Sequence, residues 1–172
     1  ATKIAIEAIL RSYHYRYGLD FLGLRYMNVY GSRQDYKGAY IAVIMKMLDA
    51  IDKGQNPIIY GTGEEAFDFI NVKDCARANI CAMKSNFQNA FYNVGTGKKT
   101  SLKTLAELLI QITESTKPIK YIKQTENTFV KSRIGCPKKA KEEIKFQYKI
   151  ELIDGLKDLI KWRNLAKKEK VF

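Results

Sequence analysis

Few residues in this chain are of types that do chemistry unaided, so their spacing is the first question. There are two glycine turns, Gly61-Thr62-Gly63 and Gly95-Thr96-Gly97, one histidine, His14, and three cysteines, Cys75, Cys81 and Cys136. Neither turn is a Walker loop, which needs four residues between its glycines and a Gly-Lys-Ser/Thr ending. Neither is the G-x-G-x-x-G dinucleotide fingerprint; GTGKKTS comes close in position but has no third glycine. His14 sits in an aromatic stretch, YHYRY, no cysteine has a histidine partner nearby, and no G-x-S-x-G elbow exists. With one histidine and cysteines out of ligand spacing, a zinc site would lack ligands, so no metal is expected. Lys3, in ATKIAIEAIL, reads on its own as a charge on an amphipathic helix that starts without a cap.

Composition narrows the class. A chain of 172 residues, 46% hydrophobic and 28% charged, is long enough to bury a core and too apolar to be disordered. No apolar run approaches the ~18 residues that span a bilayer, and the start lacks the features of a secretory signal. With an odd number of cysteines, a reducing, cytoplasmic setting with free thiols is expected. The net charge of +12 is uneven: Lys117 to Phe172 holds 16 Lys/Arg against 7 Asp/Glu. Such a basic segment suits nucleic acid, an anionic membrane or a phosphorylated small molecule, and it equally suits solvated helix faces.

The elements that must position these groups alternate. Residues 1–17 read as a helix ending at Gly18, a C-cap position. Phe21 to Met27 is of strand length, and Asn28 to Lys37 is polar and turn-rich. Ala39 to Ile51 is helical, with Ile41, Ile44, Met45 and Leu48 on one face. Pro57 to Tyr60 and Phe67 to Val72 are strands, and Asp74 to Lys84 is a helix with Ala76, Ile80 and Met83 inward. Phe91 to Val94 is a strand. Ser101 caps a helix to Thr113 with a stripe of Leu102, Leu105, Leu108, Leu109 and Ile112. Ile119 to Ile122 and Thr128 to Ile134 read as strands, and Pro137 opens a short helix to Ile144. The last helix, Glu151 to Lys167, buries Leu152, Leu156, Leu159, Ile160 and Trp162. Strands alternating with helices predict an α/β fold with parallel strands.

Four blocks in order carry a resemblance. They are ATKIAIEAILRSYHYRYGLDFLGLRYMNVYGSRQ, IIYGTGEEAFDFINVKDCARA, FYNVGTGKKTSLKTLAELL and the closing GCPKKAKEEIKF…GLKDLIKW. From Lys3 to Trp162 the chain resembles the extended short-chain dehydrogenase/reductase family, and more narrowly its NAD-dependent nucleotide-sugar epimerases and dehydratases, of the UDP-glucose 4-epimerase type. The resemblance implies a partial Rossmann-type parallel sheet plus a smaller α/β substrate-binding lobe. Residues 1–28 and 67–97 would belong to the first, 29–66 and 98–172 to the second. It makes Lys3 the lysine of a Tyr-x-x-x-Lys pair, with the tyrosine falling ahead of Ala1. Four-residue spacing puts such a pair on one helix face, where the ammonium lowers the phenol's pKa and grips the cofactor ribose. Hydride transfer to NAD would then give a keto-sugar that is re-reduced. Because the tyrosine and the dinucleotide loop lie outside these residues, the chain is expected to be a C-terminal half without activity of its own.

The same resemblance implies further contacts. Tyr26 would flank the cofactor and Tyr30 the sugar region, Asn28 would contact the diphosphate or sugar, and Arg33 would meet phosphate. Tyr60 would pack against the nucleotide base, and Asp68 would order a strand-to-helix turn. Two family arginines that clamp the diphosphate are replaced here by Phe67 and Glu126, so either Lys123, Lys131 or Arg133 takes over the charge or the substrate presents its phosphates differently. The implied partners are a nucleoside-diphosphate sugar and a second copy packed through helix 1–17, in cell-surface polysaccharide biosynthesis, with neither nucleic acid nor membrane. A dehydratase of the same family and a basic nucleic-acid-binding module, with Tyr121, Phe129, Phe146 and Tyr148 interleaved among the lysines, are the competing readings.

Overall fold

A computed structural model describes residues 2–35, 42–123 and 130–169. Helix α1 (Thr2–Tyr17) stops where expected: Gly18 has φ +66°, and its N–H returns to His14 O at 2.8 Å. Then follow β1 (Leu22–Tyr26), β2 (Asn28–Tyr30), α2 (Val43–Asp52), β3 (Ile58–Tyr60), β4 (Ala66–Phe67), β5 (Phe69–Asn71) and α3 (Val72–Lys84). The chain continues through β6 (Ala90–Val94), β7 (Thr100–Ser101), α4 (Leu102–Thr113), β8 (Lys120–Ile122), β9 (Ser132–Arg133), α5 (Lys138–Glu143) and α6 (Leu152–Lys168). Ser101 caps α4 by accepting from Thr104 N at 3.0 Å.

Strand pairing is short and mostly parallel. β1 lies beside β6, from Leu22 opposite Ala90 to Tyr26 opposite Val94. At Met27 the chain changes partners: Met27 N donates to Val94 O, and Asn28 N donates to Asp68 O. β2 therefore runs parallel to β5, while β3 runs parallel to β8. In the fourth arrangement β4 is central, antiparallel to β7 and parallel to β9.

Two apolar cores result. One joins Tyr30, Phe69, Ile59 and the inner faces of α2, α4 and α6. The other joins β1, Ile70, Cys75, Ala78, Tyr92 and Val94 with Ala140, Ile144 and Phe146. Thus α5 and the residues after it pack on the β1–β6 pair rather than beside α4 and α6. Arg163, buried on α6, hydrogen-bonds Asp49 and Asp52 of α2, and Lys167 joins Asp52. A buried guanidinium is tolerated because carboxylates meet its fork.

Several sequence expectations are corrected. Asn28 to Tyr30 is a strand, not turn, because β5 supplies its hydrogen bonds and Tyr30 enters the core. The expected Phe67–Val72 strand is cut at Asp68, whose side chain is turned inward. On α3 the inward face is Asp74, Cys75 and Ala78, not Ala76, Ile80 and Met83; Met83 is 85% exposed. Asp74 fixes that rotation by accepting from Lys149 N and Ile150 N. Helix α1 fully buries no residue, and Ile4, Ile9 and Tyr13 are exposed while Leu10 is half-buried. Only Ser132–Arg133 of the Thr128–Ile134 segment forms a strand among the described residues; Thr128 and Phe129, like Ala39 to Ile41, lie outside them.

Candidate functional site

Asp68 ties the site together. It is fully buried between β4 and β5, and its two carboxylate oxygens accept from two loops, Gly95–Gly97 and that of Gly135. Thr96 donates to Oδ1 through its N–H (2.9 Å) and its hydroxyl (2.6 Å). Gly97 N (2.9 Å) and Gly135 N (3.4 Å) donate to Oδ2. A carboxylate that collects this many N–H and O–H donors is well compensated for burial. Its backbone completes the hub, since Asp68 O accepts from Asn28 N (2.9 Å) and Asp68 N donates to Arg133 O (3.0 Å). Asn28, Arg133 and the Gly-Thr-Gly turn, far apart in sequence, are thereby fixed to one residue. The turn that Asp68 orders is Gly95–Gly97 and the Gly135 loop, a long-range role that the sequence alone did not show.

The basic candidates divide. Arg133 stands opposite Phe67 in the parallel β4–β9 register, exposed. Lys131 is exposed two residues earlier, and its carbonyl accepts from Ala66 N. Lys123 is exposed just after β8, and Glu126 lies outside the described residues. Phe67 itself is partly buried, edge-on to Phe69 with ring centroids 6.3 Å apart.

Lys3 and Tyr26 meet at one cavity of about 540 Å³, whose other walls include Ile6, Glu7, Leu10 and Leu24. Tyr26 donates from its hydroxyl to Asn79 Oδ1 at 3.0 Å, which fixes the ring direction. Beside them Glu7 holds the Arg25 guanidinium through two bonds, 2.7 and 2.5 Å. The Arg25 hydrogen bond lowers the Glu7 pKa. Tyr60 closes β3 before Gly61 and is 60% exposed, with its ring open to a planar ligand. Arg33 has φ +66°, left-handed backbone that a non-glycine residue adopts at some cost. Next to it the buried Gln34 Oε1 has no hydrogen-bond partner among the described residues, an acceptor that the sequence reading passed over.

Tyr30 is placed apart from these groups. It is 2% exposed, its hydroxyl reaches Leu152 O at 3.4 Å, and burial pushes its phenol up to about 12. Closed into the core between β2 and α6, its side chain cannot meet a ligand in this arrangement, which corrects its expected place beside the sugar.

Parallel strand pairs joined through helices, with an ammonium, a phenol and exposed cations at the strand ends, define a Rossmann-like α/β protein. A family model described as "NAD dependent epimerase/dehydratase family" matches residues 1–95. The chain belongs to that family, within the short-chain dehydrogenases/reductases. A putative UDP-glucose 4-epimerase of Methanocaldococcus jannaschii is 35% identical over 161 residues, 94% of this chain and 51% of the relative. The solved UDP-N-acetylglucosamine 4-epimerase of Methanobrevibacter ruminantium, in complex with UDP-N-acetylmuramic acid, superposes with a TM-score of 0.88 at 35% identity, covering 95% of this chain and 52% of its own. The Thermotoga maritima UDP-glucose 4-epimerase with UDP-glucose gives 0.89 at 33%, with 96% and 52% covered. The chain spans about half the length of the curated relatives it matches. Among the described residues no helix is long and apolar enough to cross a membrane.

Proposed function

We propose that these residues form the nucleotide-sugar-binding part of an NAD-dependent epimerase that acts on a UDP-type sugar in the cytoplasm, and that alone they do not turn it over. The observation that carries the reading is the hub at Asp68, which ties Asn28, Arg133 and the Gly95–Gly97 turn to a single buried carboxylate. Ligands named for relatives at 33% and 35% identity, UDP-glucose and UDP-N-acetylmuramic acid, supply the nucleotide class.

In this reading Arg133 grips the diphosphate. Its register opposite Phe67 favours it over Lys123, and a guanidinium binds two phosphate oxygens where Lys131 offers a point charge. Asn28 and Gln34 hold sugar or diphosphate oxygens and hydroxyls, Arg33 adds charge, and Tyr60 covers the base. The cavity shared by Lys3 and Tyr26 suits the ribose end of NAD: an ammonium for the hydroxyls beside a ring, on walls that are otherwise largely apolar. NAD, when bound, supplies the hydride acceptor that later serves as donor. Lys3 orients the ribose, and its ammonium would favour the ionised form of a phenol brought beside it. The exposed Ile4, Ile9 and Tyr13 of α1 support a homodimer through that helix.

Melting in the presence of UDP tests the reading. At about a hundredfold excess over Kd a ligand adds about 2.7 kcal/mol, raising the midpoint by about 5–10 °C for a chain of this size. If UDP leaves the midpoint unchanged while duplex DNA raises it with a steep salt dependence, the basic segment is a nucleic-acid surface and the reading fails. NAD-dependent turnover by this chain alone would overturn the claim of inactivity.

A further inference from the structure

Adjoining the Lys3 cavity, and sharing Arg25 and Phe91 with it, is a second, polar cavity of about 410 Å³ lined from α1, β1, β6 and α5. Three elements each bring one cation to it: Arg11 from α1, Arg25 from β1 and Lys139 from α5. All three are organised by one residue. The guanidinium carbons of Arg11 and Arg25 lie 5.3 and 5.1 Å from the centre of the Phe91 ring, and Lys139 Nζ donates to Phe91 O at 3.4 Å. Lys139 also lies 4.9 Å from the centre of the Tyr92 ring.

Anions do not balance this cluster. Glu7 takes Nε and Nη2 of Arg25, leaving the third guanidinium nitrogen outside that pair. Glu143 is 4.0 Å from Lys139, and one of its oxygens accepts from the Tyr92 hydroxyl at 2.7 Å. Arg11 forms no ion pair within 4.0 Å among the described residues, although Glu7 is near enough to feel its charge. Two carboxylates against three cations leave a net positive charge, and the Phe91 and Tyr92 rings share with Glu7 and Glu143 in holding them. Stacking fixes a guanidinium plane while leaving its N–H edge free to meet oxygen. Asn93 adds a neutral amide to the wall.

We propose that this cavity is an oxyanion site that takes a phosphorylated small molecule, its phosphate held by Arg11, Arg25 and Lys139. The volume falls in the range of small-ligand pockets and exceeds what a bare phosphate fills. Its lining includes none of Asn28, Arg133 and Tyr60, although it shares Arg25 and Phe91 with the Lys3 cavity.

Cys136 lines the same cavity and is exposed, so its thiol reports occupancy directly. Alkylation by iodoacetamide is followed by peptide mass mapping of Cys136, with Cys75 and Cys81 as internal references, at constant ionic strength made up with chloride. Pyrophosphate is expected to slow alkylation of Cys136 saturably and to leave Cys81 unchanged. Arg11→Gln and Lys139→Gln should each raise the pyrophosphate concentration for half-protection about tenfold, the worth of one charge-assisted bond. Both replace exposed cations, and an unchanged melting midpoint confirms that each variant is folded. Arg133→Ala should keep the protection in full. Absence of protection in the unaltered chain, equal protection in both glutamine variants, or its loss in Arg133→Ala overturns the proposal.

Discussion

Arg133 stands directly opposite Phe67 across the parallel β4–β9 ladder. Side chains paired in this way share a face of the sheet, so a guanidinium on β9 reaches the space beside a phenyl ring on β4. If Arg133 holds the diphosphate, Arg133→Ala raises the Kd for UDP about tenfold or more, since a charge-assisted pair is worth ~1.5–3 kcal/mol. Lys131→Ala has the smaller effect. Adding Phe67→Arg to Arg133→Ala restores part of the affinity, because the charge returns to the same face. Isothermal titration reads all three, and unchanged UDP affinity in Arg133→Ala removes Arg133 from the site.

Asp68→Asn replaces an acceptor of four bonds by a group with two donors of its own. Whichever way the amide turns, an NH₂ then faces Gly97 N and Gly135 N or the Thr96 donors. The expected loss is about 2–4 kcal/mol, seen as a melting midpoint lower by roughly 5–15 °C. Thr96→Val keeps the backbone bond and costs about 1 kcal/mol. Asp68→Asn at wild-type stability would mean that the hub is not a structural fixture.

What could be read from the sequence was local. Gly18, Ser101 and the Leu105–Leu109 stripe specify their own caps and faces within a few residues, so α1, α4 and α6 were placed to within one or two residues. The face of α3 could not be read that way, because Asp74 sets it through Ile150, 76 residues away. Likewise Asn28–Tyr30 lacks a strand-like pattern and becomes a strand only because β5 is beside it. In the site, Lys3 and Tyr26 line one cavity because β1 runs beside α1, a placement no local pattern specifies, and the Phe67–Arg133 register depends on a two-residue strand with no periodicity to detect. Tyr30 misled because a tyrosine in a motif looks the same whether its ring is buried or bare.

Gly155 gives a test of that burial. It sits inside α6, where alanine ordinarily stabilises a helix by about 1 kcal/mol. Here a Cβ would lie 2.1 Å from the Tyr30 hydroxyl and 2.8 Å from Asn71 Nδ2. Gly155→Ala is therefore expected to destabilise by about 1–3 kcal/mol. Tyr30→Phe alone costs about 1 kcal/mol, and the double variant recovers part of the Gly155→Ala loss because the clashing oxygen is gone. UDP affinity stays unchanged in Tyr30→Phe. Strict additivity in urea unfolding would show that the two residues do not touch.

Burial of Cys75, reinforced by the neighbouring Asp74 carboxylate, raises its thiol from an ordinary value near 9 to about 11. Between those values the unfolded chain has lost the proton and the folded chain has kept it. The unfolded state then binds fewer protons, so stability falls as pH rises. The contribution is complete below about pH 9 and gone by about pH 11, up to about 2–3 kcal/mol. Cys75→Ala removes that titration and leaves the tyrosines, whose losses come at higher pH and are common to both proteins. Urea midpoints at pH 8, 9.5 and 10.5 should therefore fall more steeply for the wild type than for Cys75→Ala. The two curves converge as the pH rises, even though the variant starts lower for want of the sulfur's packing. Parallel curves would mean that Cys75 ionises as readily in the fold as out of it, and that the core around Ile70 and Ala78 admits water.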